Sequence, residues 1–162
     1  MTRHAFTVEE ANELLPRLRK VLRTIRGTQE EASELYERLQ ILDALWGEEV
    51  TRPNNPDHQE YAELRGRLAE AARSVQASVE TEIRASGVRF PAGGLEHGLL
   101  DFPTSWEGRW VYLCWHAGED RIRYWHEVDA GYRGRRRLTD EQAERMGRED
   151  DPGALDDSVL DF

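Results

Sequence analysis

His126, Glu127 and Asp129 put an imidazole and two carboxylates at the end of what reads as a β-strand. Asp101 lies in an earlier loop that could approach them. Together His126, Asp129 and Asp101 offer one nitrogen and several oxygen donors, a set that suits a divalent metal such as zinc, iron or manganese. The same groups could run acid–base chemistry, with Asp129 fixing the tautomer of His126. The plainer reading makes His126 a half-buried histidine bonded to a backbone carbonyl, with Asp129 capping a turn. The spacing matches no strong metal signature. A second pair, Cys114 and His116, forms a C-x-H triplet with both side chains on one strand face. It could supply two metal ligands or a thiolate beside an imidazolium. A lone cysteine between Leu113 and Trp115 reads first, however, as a small buried hydrophobe.

Two further sets deserve weighing. Asn12 falls in the first turns of a helix, where an asparagine contributes little unless its amide meets a partner. A pocket rimmed by Asn12, Asp101, His126 and Asp129 would fit a small polar ligand, but the same residues could equally form a hydrogen-bonded seam. Arg133, Arg135, Arg136 and Arg137 form the one dense basic cluster, which could take a phosphate or an RNA strand. In a chain of net charge −10 its own acidic helices or tail are the nearer partners. Among the aromatic residues, Trp110, Tyr112 and Trp125 share one predicted strand face with Cys114, His116, Arg121, Arg123 and Glu127 and would make a patch for a protein partner.

The elements that must position these groups follow from periodicity. Phe6-Thr7-Val8-Glu9-Glu10 carries a capping-box pattern, Thr7 and Glu10 each reaching the other's amide. From there Leu14, Leu18, Val21, Ile25, Thr28, Ala32, Leu35, Leu39, Leu42 and Trp46 step by four and three without a slip, a heptad seam. The spacing predicts a helix from about 8 to about 47, with Pro16 inside it. Gly47 and Thr51-Arg-Pro-Asn-Asn-Pro56 break it. A second seam follows at Tyr61, Leu64, Leu68, Ala71 and Val75, shifting slightly to Val79 and Ile83 before Ser86-Gly87. Two seamed helices on a short connection predict an antiparallel hairpin.

The two helices are unequal in length. Folding the chain about residue 53 brings Ser86 opposite roughly Lys20, so Leu14, Leu15 and Leu18 lack a partner from the second helix. The C-terminal half must cover them. Its centre, Trp110 to Asp129, holds three of the five tryptophans, two of the five histidines and the single cysteine. With Gly118-Glu119 as a tight turn, Leu113 faces Tyr124 and Val111 faces His126 on the helix side. A one-residue bulge would exchange the faces of one strand. Short extended pieces are expected at Val88–Phe90 and Gly98–Pro103, and a capped short helix from Thr139 to Met146.

Phe6-Thr-Val-Glu-Glu-Ala-Asn-Glu-Leu-Leu-Pro-Arg-Leu18, Gly98-Leu-Leu-Asp-Phe-Pro103, Leu113-Cys-Trp115, Gly118-Glu119 and Tyr124-Trp-His-Glu-Val-Asp-Ala-Gly-Tyr-Arg-Gly134 occur in this order. Over residues 5 to 138 the chain resembles the bacterial domain-of-unknown-function family 2203. The resemblance implies a small cytoplasmic bacterial protein and brings no activity with it. His116 stands where the family more often has a basic residue, which lowers its weight as a functional group.

Composition agrees with this outline. Of 162 residues, 33% are charged and 38% hydrophobic, as long solvated helices require. The charge of −10 argues against nucleic acid and anionic membrane surfaces as partners. One cysteine excludes an internal disulfide, and no apolar run is long enough to span a bilayer. The expected fold is α+β: a long antiparallel two-helix, coiled-coil-like hairpin (7–87) capped by a small antiparallel β-sheet (88–138), then a short helix (139–146). These form a single domain over 1–146, and 147–162 reads as an acidic flexible tail. Two functions stay open. One is an interaction or scaffold module that forms a homo-oligomer or binds a protein partner. The other is a divalent-metal or small-ligand site, with or without catalysis, at the junction of helix 1 and the sheet.

Overall fold

The computed structural model describes residues 3–161, and these form a mixed assembly of helices and one antiparallel sheet. The chain divides into two compact units, one of residues 1–20 with 81–162 and one of residues 21–80. Helix α1 (Val8–Trp46) contributes its first turns to the former and the remainder to the latter.

In the 21–80 unit, α1 ends at Trp46, a 3-10 turn covers Gly47–Thr51, and α2 begins at His58. Leu42, Val50 and Leu64 are buried together, with Leu35, Leu39 and Tyr61 packed against them. All but Val50, which comes from the turn between the helices, are seam residues, brought together as an apolar stripe requires. Arg38 chelates Glu60 (Nε–Oε1 2.6 Å), and Arg67 pairs with Glu31 at 2.9 Å. Both pairs are exposed and contribute little to stability. The indole of Trp46 donates to Asp57 at 2.7 Å and closes the connection.

The shift in the second seam has a structural cause. α2 (His58–Ser78) passes into a π-helical turn over Val79–Ile83, then a 3-10 turn ending at Gly87, which takes the left-handed conformation (φ 87°). The wide turn rotates the stripe so that Ile83 is fully buried in the other unit. There the guanidinium of Arg17 donates to the carbonyl of Glu82 at 3.1 Å.

The larger unit is built on a four-stranded antiparallel sheet in the order β1 (Leu99–Trp106), β2 (Arg109–His116), β3 (Tyr124–Glu127), β4 (Arg136–Arg137). Glu107 and Gly108, both at positive φ, make the two-residue turn between β1 and β2. Val88–Phe90 is reduced to a single bridge, in which Arg89 and Asp101 exchange both backbone hydrogen bonds. Residues of the N-terminal arm run along β1 as well: Phe6 N–H donates to the Pro103 carbonyl, and the Thr104 hydroxyl donates to that of Phe6. The free edge of β1 is thereby covered.

One face of the sheet meets the start of α1. The Phe6 and Phe102 rings meet edge to face, the Arg19 guanidinium lies over the Trp115 ring, and Leu15 and Leu18 are buried. The overhanging turns are thus covered by the C-terminal half. Asn12 accepts from the Ile122 amide at 2.7 Å, so its side chain ties α1 to the segment between β2 and β3. At the helix start Thr7 accepts from the Glu10 amide, but the Glu10 carboxylate turns to His4 Nε2 at 2.5 Å, so only half of the expected box forms.

Two expectations are corrected here. β2 and β3 pair Val111 with Glu127, Tyr112 with His126, Leu113 with Trp125 and Cys114 with Tyr124. This is one residue away from the pairing that a tight turn at Gly118-Glu119 gives. The connection is a longer loop, 117–123, tied down by the Glu119 carbonyl, which accepts from both Trp115 Nε1 and Arg19. The slip carries His126 to the side away from the helix.

The second correction concerns the tail. After the one-turn helix α3 (Gly94–His97) before the sheet, helix α4 (Asp140–Arg145), with its Thr139–Gln142 capping box, leads into buried Met146 and then Gly147, whose amide donates to the Ser105 carbonyl. A Cβ at Gly147 would stand 2.4 Å from the Phe6 carbonyl oxygen. Residues 150–161 then cross the outer sheet face, and Leu160 is buried with Ala5, Trp110 and Tyr112, with Leu155 alongside. Charge and scarcity of apolar residues suggested a loose segment, yet two leucines and several backbone-directed aspartates suffice to dock it. Trp110 and Tyr112 are therefore covered by the chain itself and not open to a partner. Trp125 is buried too, beneath the Arg136 guanidinium. Phe162 lies outside the described residues.

The overhang should dominate stability. Leu18→Ala is expected to cost about 2–5 kcal/mol, whereas Leu45→Ala, at a position 67% exposed, should stay within about 0.5 kcal/mol. Urea unfolding followed by tryptophan fluorescence checks both.

Candidate metal centre

Asp101 and Cys114 are Cα partners across β1 and β2, so their side chains leave the sheet on the same side. The observed β2–β3 register adds His126, two residues along on the neighbouring strand, to that face. All three are buried, and Asp101 and His126 have no exposed side-chain surface at all. One ligating atom from each, a carboxylate oxygen, the Cys114 Sγ and a ring nitrogen of His126, lie within 4.8 Å of one another. That is the spacing of groups able to converge on one ion.

The histidine is held at both nitrogens. Nδ1 lies 2.7 Å from the Glu127 carbonyl oxygen, which can only accept, so Nδ1 carries a proton. Nε2 lies 3.1 Å from Asp101 Oδ1. The other carboxylate oxygen, Oδ2, accepts from the Arg89 guanidinium at 3.1 Å, and that guanidinium lies 4.0 Å above the Tyr112 ring centroid. Burial alone would lower the affinity of His126 for its second proton. The hydrogen bond and charge of Asp101, helped by the Glu127 carbonyl, outweigh it and raise the pKa above its ordinary value. The Cys114 thiol is pushed strongly upward, first by burial and then by the Asp101 charge. Without a metal Cys114 is therefore a neutral thiol and a poor nucleophile.

The sequence-predicted groups sort clearly against this geometry. Asp101 and His126 come together as expected. Asp129 is exposed in the turn after β3 and stands apart from the cluster, and Cys114 takes its place. The centre lies on the sheet face opposite α1 and not at the helix junction, because the register slip moved His126. His116 accepts from the Gly118 amide through Nδ1 and belongs to the loop. Two members of the basic cluster, Arg135 and Arg136, are engaged within the chain. Arg135 chelates Glu119 (2.6 and 2.8 Å) and stacks on Tyr124 and Tyr132. A usable signal for Cys114 existed: a two-residue turn at Glu107-Gly108 places it opposite Asp101.

Fold and site together define an α+β protein with a buried aspartate–cysteine–histidine cluster on its sheet. Residues 4–138 match the model of the family described as "Uncharacterized conserved protein (DUF2203)", and the chain belongs to that family. No curated protein and no solved structure matches it. All three cluster residues fall within the matched span, whereas the segment that packs on the neighbouring Trp110 and Tyr112 lies beyond it. Among the described residues, no helix is long and apolar enough to cross a membrane.

The raised pKa of His126 carries a sign. In the metal-free chain it contributes stability that is fully present below the unfolded value of 6.5 and is lost as pH rises through the folded value above it. Urea midpoints measured in chelator should fall across that interval, and His126→Gln should remove this component. A wild-type midpoint that rises there would contradict the assignment.

Proposed function

We propose that this protein binds one divalent transition metal, zinc or iron(II), at Asp101, Cys114 and His126. The observation that carries the reading is the convergence of three different ligand atoms within 4.8 Å at fully buried side chains. Mixed thiolate, imidazole and carboxylate donors suit these metals. The Glu127 carbonyl supports it further, since a ligating histidine ordinarily donates its other ring N–H to such an acceptor. Binding would displace the Nε2 proton and the Cys114 thiol proton. The two positive charges of the metal replace those two protons, so the cluster keeps its net charge with Arg89 in place. Affinity should accordingly rise with pH. The family resemblance and the single unpaired cysteine suit a bacterial cytoplasm, where thiols stay reduced.

A second reading rests on a separate observation. Tyr36, Ile41 and Leu45 are exposed large apolar residues in the 21–80 unit. The ion pairs Arg38–Glu60 and Arg67–Glu31 fit an antiparallel coiled-coil-like hairpin of α1 and α2. Such a hairpin could self-associate with a second copy as a scaffold, with no nucleic acid partner given the acidic chain.

Metal analysis of the purified protein separates the two. One equivalent of zinc or iron should be found, lost in Cys114→Ala and His126→Ala and retained in Asp129→Ala. Metal-free protein that refuses cobalt(II) and scatters light as a dimer would replace the first reading with the second.

A further inference from the structure

The C-terminal segment that packs beside the cluster is attached in a way that points to a closure. Leu160 and Leu155 sit on Trp110 and Tyr112, and Asp157 Oδ1 accepts from Trp110 Nε1 at 3.0 Å. At its far end the Asp161 carbonyl accepts from Arg89 NH1 at 2.9 Å. Arg89 in turn holds Asp101 Oδ2, the same carboxylate that the metal reading assigns as ligand. A continuous chain of contacts therefore runs from the C-terminal segment through one guanidinium to the cluster. The Arg89 side chain is only 12% exposed and its guanidinium stands 4.0 Å over the Tyr112 ring, so with the segment in place it has little freedom to move aside.

The attachment is also weak enough to open. Leu160 is its one buried residue, and around it Val159 is 47% exposed and Asp161 is exposed. Two 3-10 turns, Pro152–Ala154 and Asp157–Val159, are the regular structure of this stretch, each capped by its own preceding aspartate. Segments with few buried apolar contacts open at a fraction of the global unfolding free energy. The cluster beneath rests on paired strands and has no such freedom.

We propose that residues 150–161 act as a strap that controls exchange between the Asp101–Cys114–His126 cluster and solvent. Lifting Leu160 removes the Asp161 carbonyl from Arg89, and the guanidinium can then swing off Tyr112 and uncover Asp101, beside which Cys114 lies across the strand pair. What is exchanged, a divalent metal, rests on the reading given under Proposed function; that the strap is the barrier does not.

The test uses the full chain and reads both parts. In metal-free protein, alkylation of Cys114 by iodoacetamide should be slow in the wild type and at least tenfold faster in Leu160→Asp. Val159→Asp, the same charge one residue away on an exposed position, should leave the rate unchanged. Asp157→Ala cuts the bond to Trp110 without placing a charge in the core, and should accelerate labelling severalfold. Near-UV circular dichroism confirms that each variant compared is folded. Cobalt(II) uptake should rise in the same order. Equal labelling in wild type and in folded Leu160→Asp or Asp157→Ala would overturn the strap, as would equal acceleration by Val159→Asp. Accelerated labelling with no cobalt bound in any variant would uphold the strap and overturn the metal reading instead.

Discussion

The Asp101 carboxylate is the interaction on which the larger unit turns. It is fully buried, and an unpaired carboxylate in that position would cost several kcal/mol. Three separate pieces of chain converge to satisfy it. Arg89, before the sheet, offers a guanidinium and also bridges Asp101 through the backbone; β2 brings Cys114; β3 brings His126. A one-residue slip between β2 and β3 would send His126 to the other face and leave the carboxylate short of a partner. The polar cluster therefore helps to choose the register that the hydrophobic pattern leaves open.

That choice shapes the rest of the unit. With His126 turned outward, the opposite face is left to Phe102, Leu113 and Trp115, and it covers the first turns of α1. The outer face then holds a charged cluster flanked by Trp110 and Tyr112, which water should not reach freely. The C-terminal segment solves this with Leu160 for the rings and the Asp161 carbonyl for Arg89. Buried polar groups demand partners, and here the demand propagates outward from one aspartate to the end of the chain.

Much of the fold could be read from the sequence because it depends on local rules. The unbroken seam from Leu14 to Trp46 is α1, the small shift at Val79 is a π turn, and Thr139 with Gln142 caps α4. The mismatch in helix lengths pointed to cover for Leu15 and Leu18, which is what the sheet provides. The register of β3 was not legible, since Gly118-Glu119 resembles a tight turn and the loop geometry depends on distant Arg19 and Asn12. That one residue decides which face of the sheet carries His126, and so whether Cys114 stands beside it. The docking of 150–161 was hidden for a different reason: two leucines among aspartates carry no periodicity, and their partners, Trp110 and Tyr112, lie far back in the chain.

The central claim is that Asp101, Cys114 and His126 share one metal ion, and the coordination shell of that ion is the direct test. Zinc added to the reduced protein should give an X-ray absorption fine structure with one sulfur neighbour near about 2.3 Å and the remaining ligands, nitrogen or oxygen, near about 2.0–2.1 Å. A shell of oxygen and nitrogen alone, unchanged by Cys114→Ala, would place the ion elsewhere and contradict the account.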